Sequence, residues 1–292
     1  MANERILFMN LQIPKKAAVI NSFAGYGRCS LTEALPILSA MRVQACPVPT
    51  AVFSNHTGFA AFACQDLTAF LPSYLEQWKQ LNLTFDGVLC GFLGQAEQIL
   101  SVSSFLSDQK SRGCQTILVD PVMGDHGKPY RTITPKHCQK LRNLIPLADI
   151  ITPNITEACL LTDTPWKDGF WNESELSELC QRLHKLGPSK IVITGLPCLI
   201  HGKEGFENYL SCKEPFSQRA CLTPSAGPSR HGTGDIFASI LMADALNGVD
   251  FSVSVQKAAD FISKCISASK ALQIPEPDGV CFENFLSDLA DQ

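Results

Sequence analysis

Gly232-Thr233-Gly234-Asp235 closes the run Gly227-Pro228-Ser229-Arg230-His231 and leads straight into an apolar helical pattern, which sets a glycine turn against a helix start. Glycines let a backbone come close to a ligand and turn its N–H groups inward, and the aligned peptide dipoles add partial positive charge at the same place. That suits a phosphate. Asp235 brings a carboxylate to the turn, although an acid in a first helical turn also fits a plain dipole-complementing role. Two more acids follow candidate strands. Asp120 opens Asp120-Pro121-Val122-Met123-Gly124-Asp125, and Glu157 closes Thr152-Pro153-Asn154-Ile155-Thr156-Glu157. Taken singly, Asp120 beside proline fits a turn and Asn154 with Glu157 fits a helix cap. Together they offer a turn suited to an anion and acids at strand and helix ends, where open α/β sheets place ligands.

The elements that must hold these residues read as α/β. Short Val- and Ile-rich runs at Ala17 to Ile20, Val43 to Pro47, Gly87 to Gly91, Thr116 to Val119, Asp149 to Thr152 and Lys190 to Thr194 alternate with helical periods, as in a mostly parallel sheet covered by helices. Ser30-Leu31-Thr32-Glu33 has the pattern of a capping box and predicts a helix to about Met41. Asn154 to Glu157 and Asn172 to Glu175 repeat that logic. Cys198 to His201 and Phe206 to Ser211, around Gly202-Lys203-Glu204-Gly205, predict a hairpin that gives the sheet an antiparallel edge. A helix from about Gly234 ends at Asn247-Gly248, and a last one runs from about Ser252 to Leu272.

Composition narrows the class. The chain has 292 residues, 45% hydrophobic and 18% charged, and 24 basic against 28 acidic residues give a net charge of −4. The charges are spread out, so nothing suggests nucleic acid or an anionic membrane, and a small-molecule partner fits better. With no repeat and no long linker, a single domain over residues 1–292 is expected. No apolar run approaches a bilayer span, and Met1 to Lys16 lacks the order of a secretory signal, so a cytoplasmic location is expected. The 13 cysteines fall singly, without a C-x-x-C pair, and are assigned no chemistry.

With its preceding loop, the Gly232 to Asp235 segment resembles the anion hole and catalytic Asp of the ribokinase-like superfamily, and four other segments agree. Asn21-Ser22 resembles the point where pyridoxal kinases set a serine against the pyridine ring. Thr50-Ala51-Val52-Phe53-Ser54-Asn55-His56-Thr57 is similar to their T-x-x-x-S-N-H-T segment. The Asp120 segment resembles D-P-V-x-G-D beside the ATP phosphates, and the Thr152 segment resembles T-P-N-x-x-E, with Glu in the magnesium shell and Thr at the nucleotide. Thr194-Gly195 is similar to a threonine turn at the nucleotide phosphates. The chain is thus identified as a member of the pyridoxal kinase family over about Ala17 to Gly248.

The resemblance implies a three-layer α/β/α sandwich, ATP with magnesium, a monovalent cation such as K⁺, a homodimer, and phosphorylation of the 5′-hydroxymethyl group of pyridoxal, pyridoxine or pyridoxamine. It makes Asp235 the base, with Gly232, Thr233 and Gly234 as the anion hole. Ser22 and Thr50 would hold the substrate. Asp120, Asp125, Thr152, Thr194 and the flap residue Tyr130 would hold ATP, and Asp120 and Glu157 would serve the metal through water. The chain departs from the family after Ser22, where Phe23-Ala24-Gly25-Tyr26-Gly27 replaces a histidine-bearing, longer loop. That loop covers the substrate in the family, so the preferred vitamer stays open. A hydroxymethylpyrimidine kinase is the nearest alternative, although those enzymes often carry a cysteine where this chain has Asp235. A vitamer-binding protein without turnover is the alternative from outside the enzymes.

Overall fold

The computed structural model describes residues 13–290. The stretch Met1 to Lys16 therefore falls mostly outside the described residues. In chain order the elements are β1 (Lys15–Ala24), α1 (Leu31–Ala40), β2 (Val43–Phe53), β3 (Cys64–Asp66), α2 (Leu71–Gln80), β4 (Gly87–Cys90), α3 (Gln98–Ser111) and β5 (Thr116–Val119). The short strands β6 (Gly124–Asp125) and β7 (Lys128–Pro129) follow, then α4 (Pro135–Leu141), β8 (Ile150–Ile151), α5 (Ile155–Thr162) and α6 (Glu173–Lys185). The chain continues through β9 (Lys190–Ile200), β10 (Lys203–Lys213), β11 (Phe216–Pro224), α7 (Thr233–Asn247), α8 (Phe251–Ala271) and α9 (Ser287–Ala290).

Nine strands form one sheet in the order β11-β10-β9-β8-β5-β4-β1-β2-β3. The six strands from β9 to β2 run parallel, and β10, β11 and β3 are antiparallel additions at the two edges. Because strand side chains alternate between faces, Ala18, Ile20, Val88, Cys90, Ile117 and Val119 pack against the layer of α2 to α6. Ala17, Val19, Leu89 and Leu118 pack against α1, α7 and α8. Both faces are dry, which is why these strands read as nearly continuous apolar runs. The expected ribokinase-like three-layer α/β/α sandwich, with a mostly parallel sheet and an antiparallel edge, is the one found. No helix among the described residues is long and apolar enough to cross a membrane.

Chain reversal on the two sides of β1 opens a crevice beyond the carboxyl ends of β1, β4, β5 and β8, where doubly wound sheets bind ligands. Three local expectations need correction. Lys190 to Thr194 and Cys198 to His201 belong to one strand, β9, whose register shifts opposite Glu207 and Tyr209, where Gly195 sits at φ 67°. The hairpin turn is at His201-Gly202, not Gly202 to Gly205, because these two take the positive φ values, 50° and 79°, that a tight turn between twisted strands demands. Helix α1 does start after Ser30, but without the capping box: Ser30 has φ 58° and makes no side-chain cap.

Candidate active site

Helix α7 is buried nearly all round, from Ile236 to Leu246, so its N-terminus is held firmly at the crevice. Its first turn has no side-chain cap, which leaves the amides of Thr233, Gly234 and Asp235 without the partner that helix starts usually recruit. Gly232 enters the helix at φ 88°, and a Cβ there would fall 2.5 Å from the Arg28 carbonyl, so glycine is required by both conformation and space. Gly234 faces the opening. A Cβ on it would meet nothing closer than Asp120 Oδ2, at 3.8 Å, which places the turn and Asp120 on facing sides of one space.

Asp235 does not cap its own helix. Its Oδ1 accepts from Asn21 Nδ2 and its Oδ2 from the Ser30 amide, each at 2.8 Å, so the carboxylate is aimed by the end of β1 and the start of α1. Asn21 Oδ1 in turn accepts from the amides of Ser22 and Phe92, at 2.8 and 3.2 Å. Ser30 reaches Asp235 from a backbone conformation that non-glycine residues rarely adopt, and such outliers concentrate at functional sites. Neither Asn21 nor Ser30 stands out as an Asp235 partner in the sequence. Ser30 sits inside a pattern that mimics a cap, and Asn21 attracts notice only as the neighbour of Ser22.

Asp120 follows β5, and its Oδ1 accepts from Thr152 Oγ1 at 3.0 Å, so the threonine after β8 orients the acid after β5. Glu157 is buried and fully engaged: Oε1 accepts from the Met123 amide and Oε2 from the Asn154 amide, each at 2.9 Å. Its capping box with Asn154 is present as expected. Burial pushes the pKa of all three acids up. Repulsion from Asp235 adds to this at Asp120, and repulsion from Asp120 adds to it at Glu157, while the bonds from Ser30 and Asn21 pull Asp235 back down.

The remaining expected residues are placed as follows. Ser22 and Thr50 are buried, and their hydroxyls are already engaged, Ser22 with Ser30 Oγ at 2.9 Å and Thr50 with the Phe92 carbonyl at 2.9 Å. Asn21 and Thr50 thus grip the backbone of Phe92 from both sides. Asp125 is exposed on the β6-β7 hairpin, where it accepts from the His126 amide. Tyr130 leaves that hairpin with its amide on the Met123 carbonyl, close enough to the acids that burial, Glu157, Asp125 and Asp120 push its phenol pKa up. The Thr194 amide donates to the Pro153 carbonyl, tying β9 to the Thr152 segment. Two further side chains brace the turn: Arg230 is buried and donates to the carbonyls of Ile274, Pro275 and Gly279, and the His231 ring lies tilted against that of His56, with centroids 4.5 Å apart.

Among the described residues no group of three or more His, Cys, Asp or Glu side chains is placed to hold a metal ion. The donor set suits magnesium that is shared with phosphates and water, since that ion accepts few protein carboxylates. Asp120, with one oxygen toward the cleft, fits it directly; Glu157, with both oxygens occupied, fits it through water.

The sequence profile of the phosphomethylpyrimidine kinase family matches residues 35–279. The chain belongs to that family. An Arabidopsis thaliana pyridoxal kinase is 33% identical over 203 residues, 67% of this chain and 63% of that protein. The hydroxymethylpyrimidine/phosphomethylpyrimidine kinase of Haemophilus influenzae is 33% identical over 180 residues, 61% of this chain and 63% of its own length. Both alignments thus span less than two thirds of the relative. A crystal structure of a candidate phosphomethylpyrimidine kinase from Bacteroides thetaiotaomicron superposes with a TM-score of 0.91 at 34% identity, covering 97% of this chain and 96% of that one. Another crystal form of that protein holds pyridoxal.

Proposed function

We propose that this family member is an ATP-dependent kinase that phosphorylates the 5′-hydroxymethyl group of pyridoxal, pyridoxine or pyridoxamine. The observation that carries the proposal is Asp235: a carboxylate aimed from outside its helix, beside uncapped amides, facing Asp120. Asp235 takes the proton from the hydroxymethyl group, and the oxygen forms its bond to the γ-phosphorus as the bond to ADP breaks and ADP keeps the electron pair. The amides of Gly232, Thr233 and Gly234 hold the equatorial oxygens of the moving group. Magnesium, when bound, would supply positive charge to the phosphates, and Asp120 and Glu157 would hold it, Glu157 through water. Thr152 keeps Asp120 in place.

A second reading has its own support. The matching profile and the H. influenzae relative both carry phosphomethylpyrimidine kinase names, which favours a hydroxymethylated pyrimidine on the same base. The pyridoxal in the B. thetaiotaomicron crystal favours the vitamer. A coupled ADP-release assay with the three vitamers and hydroxymethylpyrimidine decides between them by the ranking of kcat/KM. No release with any of the four would sink the kinase proposal and leave a binding protein.

A further inference from the structure

Glu33 lies in the first turn of α1, is 0% exposed, and has no hydrogen-bond partner on either carboxyl oxygen. A buried acid without a partner is costly, and far more so when charged. Arg28, a cation within electrostatic reach, is committed elsewhere: its Nε donates to Glu283 at 2.6 Å and its Nη1 to the Asp278 carbonyl at 3.1 Å. The Glu33 carboxyl instead packs behind Gly232. A Cβ on that glycine would fall only 2.4 and 2.5 Å from the two Glu33 oxygens. The titratable groups facing Glu33 are Asp235 from α7, Arg28 and Cys29 from the segment before α1, Cys265 from α8 and Glu283 from the C-terminal segment. Burial first, then repulsion from Asp235, holds its pKa well above the usual carboxylate range.

Resting on the kinase reading, we propose that Glu33 is a positioning residue of the anion hole: its uncharged carboxyl is the rear wall behind Gly232, and a negative charge there disables the hole. The start of α7 attracts anions, so a carboxylate behind Gly232 competes with the phosphoryl group for the same field. It also repels Asp235. A charged Glu33 is drawn toward water and strains the first turn of α1, next to the Ser30 amide that aims Asp235. The protonated side chain fills the space and leaves the field to the substrate.

The test follows kcat/KM for ADP release, and the unfolding midpoint without ligands, from about pH 6 to about pH 10 in the parent, Glu33→Gln and Glu33→Asp. A carboxyl whose pKa folding raises contributes stability that is fully present below its ordinary pKa and is lost as pH rises through the folded value. The parent and Glu33→Asp should therefore lose activity at the alkaline end, about tenfold per pH unit for one ionisation, with a falling midpoint. Glu33→Gln, which cannot ionise, should lose that limb and flatten the midpoint curve while keeping the acid limb set by Asp235. An identical alkaline limb in Glu33→Gln overturns the proposal, as does a lower rate with an unchanged profile. If the Gln variant does not accumulate, Glu33→Met replaces it: loss of the alkaline limb supports the proposal and its persistence overturns it. A parent that releases no ADP at any pH brings down the kinase reading itself, an outcome distinct from failure at Glu33 alone.

Discussion

Asp235 and Glu157 both accept two hydrogen bonds, and both are coupled electrically to Asp120, yet they are built in opposite ways. The oxygens of Glu157 each accept from a backbone amide, 34 and 3 residues away, and the side chain is buried. The oxygens of Asp235 are held by donors 214 and 205 residues away, and the group sits half-buried at the opening. The first arrangement makes a carboxylate a structural joint between the Asp120 loop and α5. The second suits the base of the proposed reaction, since remote donors fix its direction while the group stays half-buried at the opening.

Substitutions that swap one role for the other sharpen the contrast. Asp235→Asn keeps shape and removes the base, so kcat should fall by roughly 100- to 10,000-fold with KM nearly unchanged, read by coupled ADP release. Asp120→Asn should raise the magnesium concentration for half-maximal rate by about tenfold or more, and Glu157→Gln should raise it less, because only Asp120 turns an oxygen to the cleft. Asn21→Ala removes one donor to a charged group, worth about 1.5 kcal/mol or about tenfold in kcat. That donor also holds the Asp235 pKa down, so the acid limb of kcat/KM should move to higher pH in Asn21→Ala. The smallest catalytic change belongs to Glu157→Ala, whose main effect should be a loss of about 1–2 kcal/mol in urea unfolding as the α5 cap and the Met123 amide lose their partner. A kcat loss at Glu157→Ala as deep as that of Asp235→Asn would erase the distinction.

Legibility in the sequence follows the same line. The capping boxes at Asn154 and Asn172 span four residues each and can be read directly, as can the inner strands and the stop of α7 at Gly248. Strand β11 escapes a reading of the sequence because Phe216–Pro224 buries little beyond Cys221 and Thr223, so it carries no strong apolar alternation. Ser30 misleads: its spacing to Glu33 copies a cap, but the strained backbone turns its amide to Asp235 and its hydroxyl to Ser22, while Glu33 turns to Gly232. The ordered acids Asp120, Glu157 and Asp235 can be read off as a set. The side chains that aim Asp235 cannot, because local spacing carries no trace of a partner two hundred residues away.

That separation bears on how the protein is made. A ribosome that has finished β11 has already made Asp120, Glu157 and every strand of the sheet, but neither the glycine turn nor Asp235. Until α7 emerges and packs into the face that α1 and α8 share with it, Asn21 and Ser30 have no carboxylate to receive. A chain truncated before α7 therefore lacks Asp235, the proposed base, and its two donors are left without their carboxylate until late in synthesis.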